Sequence, residues 1–483
     1  MLPAAWRSRL VGGASAALGL AAVLTYVFSP PRAVATGDER DYLRAAVHLA
    51  RSGVHSHAPT AIDSPPPDAY REPGYPFLLA AAWRGLGVAP PASAAPPPAH
   101  GSPQGRAIGG LGGLLLAVSA LAAALAAAGA GADRGGGMLA AALVLASPAL
   151  RQAALAPGSE ALAAALVALA GFGLVRGTSR PSFAGSALTG LAVGLAVLTR
   201  GASVVLVPTG ALVLALLPRR GELRRRLLHA ALFALLALAP PAAWGVRNLR
   251  VTGHFVLADR GGQVMWTRAE LDRQLARESA LSALCAWTPV DSVRRAGERW
   301  WPQASWHRYE WRGEGNFFTR SLRAWHAARR PPADPLAADR QLGRHALGEF
   351  AAHPLSHLAA SLAVGWRGLF AERSPVALVP IDLALPLALL LAGAVVRVAW
   401  IARRARRPAA LALLAVPAAL FLFHALFTEF LPRFGAPALP LVWAAVALAV
   451  ADGWQPEVPS REGGSSEEQR RTAGRDGARE PCD

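Results

Sequence analysis

Asp38 and Glu39 stand side by side in TGDERDYLRAAVHLARSG (residues 36–53), directly behind an apolar run, residues 11–28, that is long enough to cross a bilayer. Carboxylates at that depth face lipid headgroups, where they can take up a proton or meet a cation. Other charged residues sit at the outward ends of apolar runs in remote parts of the chain: Arg71, Glu72, Glu160, Arg200, Arg247 and Arg433. Ionisable groups near lipid are costly, so acids and arginines gathered on one face point to a functional site. Each also has a plain explanation. Asp38 could cap a helix starting at Glu39, Arg71 and Arg433 could reach for the interface, and Glu160 could favour a helix start.

The residues behind the acids read as an amphipathic helix. Arg40, Asp41, Arg44, His48 and Arg51 share one face, while Leu43, Ala46, Val47, Leu49 and Ala50 cover the rest. A helix of this kind lies in the interface plane and holds Asp38 and Glu39 at headgroup depth.

Those positions require a membrane-embedded scaffold, and composition supplies one. Of 483 residues 53% are hydrophobic, which fits a polytopic membrane protein rather than a soluble domain. The net charge of +18 is carried by arginine clusters in short loops, such as RRGELRRR (219–226) and ARRARRP (402–408). Such clusters mark cytoplasmic loops, so nucleic acid is not expected as a partner. Cys285 and Cys482 lie far apart and imply no disulfide framework.

With Arg7 and Arg9 inside, residues 11–28 read as an uncleaved anchor in preference to a cleaved signal peptide. Further spans are expected near 106–128, 137–152, 160–176, 183–199, 202–217, 226–245, 376–400, 409–427 and 435–451, about ten in all. The fold class is therefore an all-α polytopic membrane protein. Its expected parts are an N-terminal membrane module, 1–247, with a first outer loop at 29–105 that carries interfacial helices. A polar outer insert follows at 248–355, then C-terminal membrane helices at 356–451. The charged, Gly/Ser-rich tail, 452–483, is expected to be a disordered cytoplasmic end. The insert holds Trp266, Trp287, Trp300, Trp301, Trp306, Trp311 and Trp325, read first as interface anchors and second as sugar-stacking rings. Residues 343–371 read as one further interfacial helix.

GDERDYLRAAVHLARSG, followed by YREPGYPFLLAAAWRGLG, resembles the first outer loop of the GT-C glycosyltransferases, in particular protein O-mannosyltransferases and lipid A aminoarabinose transferases. Further similar stretches follow in order: ALAPGSEALAAAL around Glu160, AVLTRGASVVLVP around Arg200, WGVRNLRVTGHFVL around Arg247 and EFLPRFGAPALP around Arg433. The resemblance implies Asp38 as catalytic base with Glu39 beside it. It implies Arg40, Arg71, Arg200, Arg247 and Arg433 as binders of the donor phosphate, and Tyr42, Glu72, Tyr75 and Glu160 as substrate-binding residues. In the lipid A branch an arginine directly precedes the tyrosine, where this chain has Asp41. That branch also has Glu-Lys-Pro where this chain has Arg71-Glu72-Pro73.

The implied donor is a sugar on polyprenyl phosphate, and the implied acceptor is an extracytoplasmic glycan, lipid or protein at the plasma membrane. Such a leaving group needs cations rather than a proton, and arginine forks supply them. One base acting on a pre-activated donor implies inversion. No metal site is assigned from His55-Ser-His57 or from His353 and His357, and no cofactor is assigned, with a divalent cation left open. The rival readings are an O-antigen-ligase-like transferase, for which His326, His345 and His353 would serve, a transporter or flippase of lipid-linked sugars, and a glycolipid-binding pseudoenzyme.

Overall fold

The computed structural model describes residues 37–452, apart from 95–97, 100, 219–221, 279, 302–308, 310–314, 331–333, 372–383 and 406. The anchor expected at residues 11–28, Trp306, Trp311 and the tail beyond 452 lie outside the described residues. Every regular element among those described is helical.

Two amphipathic helices open the described chain, α1 (Gly37–Ser52) and α2 (Gly74–Gly85), joined by a non-helical strap. They bury Leu43, Val47, Tyr75, Leu79 and Trp83 against each other and against Ala107 and Ile108 of the next helix. The membrane module follows as α3 (Pro103–Ala130), α4 (Arg134–Ala146), α5 (Pro148–Leu155), α6 (Glu160–Ser179), α7 (Phe183–Thr199), α8 (Leu206–Leu216) and α9 (Leu223–Thr252). Local chemistry sets several of these boundaries. The side chains of Ser102, Asp133, Ser147 and Ser182 accept hydrogen bonds from the first turns of α3, α4, α5 and α7. Gly131 ends α3 at φ 113°, a left-handed conformation that favours glycine.

The insert is built from α10 (Gly261–Glu278), α11 (Ala280–Ala286), α12 (Asp291–Trp300), α13 (Phe317–Ala328), α14 (Pro335–Ala352) and α15 (Pro354–Gly368). The single helix expected over 343–371 is thus two, because Pro354 starts a new one at His353. Three apolar helices complete the described residues: α16 (Ala384–Arg404), α17 (Pro408–Phe427) and α18 (Leu439–Asp452).

Among the described residues, six helical stretches are long and apolar enough to cross a membrane, or seven if α4 and α5, bent by 55°, form one span. The runs expected at 183–199 and 202–217 are shorter apolar helices, Phe183–Thr199 and Gly201–Leu216. Arg200 separates them, and the second opens with the 3-10 turn Gly201–Val205, so a charged break falls where α7 gives way to α8.

Small side chains let the bundle pack closely. Ala123, Ala127, Ala164, Val167, Ala170, Leu413, Leu441 and Trp443 belong to one continuous apolar core. Helix polarity then sorts the charges. Helix α6 runs from Glu160 to Arg176, α7 returns to Arg200, α9 runs from Arg224–Arg226 up to Asn248, and α16 descends to Arg403 and Arg404. The basic turns lie at one end of the bundle. The ends carrying Glu160, Arg200 and Asn248 meet the first loop and the insert at the other.

One close contact locks the first loop to that end. A Cβ on Gly74 would lie 2.5 Å from Thr199 Oγ1, so only glycine lets the start of α2 touch the end of α7. That contact brings Arg71 and Glu72 beside Arg200.

In the insert, several tryptophans meet arginines rather than facing outward. Arg273 lies over Trp266, Arg367 over Trp287, and both Arg260 and Arg329 over Trp325. Trp300 is the exposed exception among those described.

Candidate active site

Asp38 lies in the first turn of α1, and its carboxylate accepts hydrogen bonds from Arg71 and, at 2.8 Å, from Arg433 Nη2. Arg260 Nη1 stands 3.6 Å away. The helix begins at Gly37, so the capping role considered for Asp38 is not the one it plays. Arg71 also donates to Asp41 Oδ2, from Nη2 at 3.0 Å and Nε at 3.3 Å, so its fork bridges two acids one turn apart. Burial works to raise the Asp38 pKa, but Arg71, Arg433 and Arg260 together outweigh it and hold the carboxyl well below the usual carboxylate range.

This cluster borders a cavity of about 560 Å³ at the end of the bundle away from the basic turns. Asp38, Tyr42, Arg71, Glu72, Glu160, Arg200 and Arg433 line it, although they come from distant parts of the chain. Arg200 pairs with Glu160 at 3.1 Å, and its guanidinium lies over the ring of Phe434. Glu72 Oε1 accepts a hydrogen bond from the backbone N–H of Gly201 at 3.2 Å, and Tyr42 donates to Ser159 Oγ at 3.2 Å. The helix polarity described above explains the convergence. Most of these residues lie at or next to the end of an element at the same level, and Tyr42 sits one turn beyond Asp38 on α1.

Four residues proposed from sequence are placed elsewhere. Arg40 is exposed on the far side of α1, Glu39 is buried beneath it, and Tyr75 packs edge-on against Tyr42 behind the wall. Arg247 donates to the carbonyl oxygen of Asp68 at 2.6 Å and to Asn248 Oδ1 at 2.9 Å, with its guanidinium over Trp244. It braces the strap between α1 and α2 rather than facing the cavity.

The structure adds Arg260, His424 and Glu429 to the lining. Glu429 contrasts with Asp38: it lies in the turn after α17, burial pushes its carboxyl pKa up, and its Oε2 has no hydrogen-bond partner. Two carboxyls of opposite bias therefore share one cavity. Glu429 could have been found in sequence, since it opens the same EFLPRFG stretch that carries Arg433. Arg260 had no such signal beyond its place just before α10.

Residues 110–244 match the family model described as dolichyl-phosphate-mannose-protein mannosyltransferase. The matched segment includes α6 and α7, and with them Glu160 and Arg200 of the cavity. Solved structures similar to the chain include the Archaeoglobus fulgidus oligosaccharyltransferase AglB in complex with an inhibitory peptide and a dolichol-phosphate. It is 14% identical, with 97% of this chain and 52% of that chain covered and a TM-score of 0.47. Another is ArnT from Cupriavidus metallidurans bound to undecaprenyl phosphate, 16% identical over 93% of this chain and 78% of that chain, with a TM-score of 0.36. The chain spans about half the length of the archaeal enzyme. No curated protein matches it.

Proposed function

We propose that the chain is an inverting glycosyltransferase that moves a sugar from a polyprenyl-phosphate donor to a hydroxyl of an acceptor outside the cytoplasm. The observation that carries this reading is the carboxylate of Asp38, held among Arg71, Arg433 and Arg260 at the edge of a cavity that Arg200 also enters. The gathering of basic turns at the opposite end supports a cavity facing outward from the plasma membrane.

The reaction follows from these charges. A donor phosphate entering the cavity competes with Asp38 for the guanidiniums. As the bond from the anomeric carbon to phosphate oxygen breaks, negative charge grows on the departing phosphate, so the arginines hold the transition state more tightly than the ground state. Asp38, relieved of part of its ion pairing, becomes a stronger base and takes the proton of the acceptor hydroxyl. That oxygen bonds to the anomeric carbon from the opposite face, and polyprenyl phosphate leaves without needing a proton. Glu429, whose carboxyl pKa burial pushes up, lines the same cavity and is placed to hydrogen-bond a sugar hydroxyl.

The rival readings find less support. His326, His345 and His353, which an O-antigen-ligase-like enzyme would use, do not line this cavity. A transporter would hold its polar site near the bilayer midplane, and here the charges gather at one end.

The test is product stereochemistry. Protein in liposomes, given polyprenyl-phosphate mannose and a mixture of candidate acceptors, is expected to release polyprenyl phosphate and form a glycoside of inverted anomeric configuration by NMR. Retention of configuration, or passage of intact donor across the bilayer without consumption, would overturn the reading.

A further inference from the structure

A second cluster of chemistry-bearing residues lies outside the reaction cavity, in the strap between α1 and α2. One ligand atom each from His55, His57 and Asp68 falls within 4.8 Å of the others. Asp68 Oδ1 is 2.8 Å from His57 Nδ1 and 3.8 Å from His55 Nδ1. The His55 side chain is 1% exposed, yet neither of its ring nitrogens has a hydrogen-bond partner, and His57 Nε2 is likewise buried and idle. Buried polar atoms are nearly always satisfied, so three unsatisfied imidazole nitrogens around one carboxylate call for a missing partner.

We propose that His55, His57 and Asp68 bind a divalent cation of the zinc class. Two imidazoles and one carboxylate are a zinc ligand set with a fourth position open, and a set lacking thiolates disfavours copper(I). Zinc bonds of about 2.0–2.2 Å need small rotations of the rings to draw the ligand atoms together. Room for a fourth ligand exists on the outer side, where His57, Asp68, Tyr70 and Arg329 border a separate cavity of about 630 Å³. The adverse charges nearby are Arg247, whose guanidinium is directed at the carbonyl oxygens of His55 and Asp68, and, across the outer cavity, Arg44 and Arg329, which pair with Asp41 and Asp259; the Asp68 carboxylate opposes them. Orientation also fits: the backbone N–H of His57 donates to Asp68 Oδ2 at 2.7 Å, and the N–H of Asp68 to the His55 carbonyl at 3.1 Å, so the strap already closes on itself without metal. A cation there would fix both ends of the strap three residues ahead of Arg71, independently of which reaction the neighbouring cavity performs.

The experiment uses the full chain without a polyhistidine tag, purified in detergent, stripped with chelator and dialysed against Zn²⁺. Elemental analysis is expected to find about one zinc per chain, and X-ray absorption to show nitrogen and oxygen ligands without sulfur. His55→Phe keeps a ring against Phe77 and Trp244 and removes both idle nitrogens. It is expected to stay folded by its thermal melt while zinc affinity falls at least about tenfold. Zinc-free wild-type protein after dialysis, or wild-type affinity in both His55→Phe and His57→Phe, would overturn the proposal.

Discussion

Asp38→Asn is expected to lower sugar transfer by about a thousandfold while leaving the protein folded and able to bind donor. The amide has the volume of the carboxyl and its one oxygen can still accept from either Arg71 or Arg433, which bond different carboxylate oxygens, so one of the two contacts is kept and the other lost. What disappears is a site for the acceptor proton. Donor affinity should hold or rise, since the three guanidiniums lose a competing anion. The measurement is single-turnover release of polyprenyl phosphate, alongside donor binding and a thermal melt on the same preparation. Turnover within a few-fold of wild type in folded protein would remove Asp38 from the role of base.

Arg71→Met tests the cationic half of the site. The variant keeps an apolar stem in a buried position and deletes the fork that bridges Asp38 and Asp41. A decrease in kcat/KM of about 10²–10³-fold is expected, because charge on the departing phosphate loses a preorganised partner. A second effect follows from the carboxyl it released. Burial raises the Asp38 pKa and Arg71 is the foremost of the groups that lower it, so without Arg71 that pKa must climb. Activity falls when the base is protonated, and the acid limb of the pH profile is therefore expected to move to higher pH. Stability runs the same way. A carboxyl depressed in the folded state stabilises fully above its unfolded pKa and loses that contribution as pH falls through the folded value. Below about pH 4 the melting temperature of Arg71→Met should decline less steeply than that of wild type. An unchanged acid limb would argue that another group is the base.

Much of the scaffold was legible in sequence because lipid imposes a simple rule: long uncharged runs must be helices, and charge falls at their ends. Arg71, Glu160, Arg200 and Arg433 were found by that rule, since each interrupts or bounds an apolar run. The same rule misplaced Arg247. It too bounds an apolar run, at the end of α9, but rotation about a helix is not fixed by depth, and its side chain turns to the strap backbone. Arg260 and Glu429 escaped notice because both sit in short connections, where neither periodicity nor hydropathy marks direction. The tryptophans misled for a related reason. An amphipathic ring looks alike at a headgroup and beneath a guanidinium, and only tertiary contacts tell Trp325, under Arg260 and Arg329, from an exposed Trp300.

The convergence on Asp38 has a kinetic corollary. Arg71 belongs to the first loop, Arg260 to the insert and Arg433 to the turn ahead of the last helix, so one side chain fastens three separately anchored pieces into a roof. On the function proposed above, an incoming phosphate that draws those cations to itself is expected to unlatch the roof and uncover Asp38 in the same event. Substrates should then enter in a fixed sequence, glycolipid before acceptor, and initial-rate patterns at varied concentrations of both would show random entry if the latch does not exist.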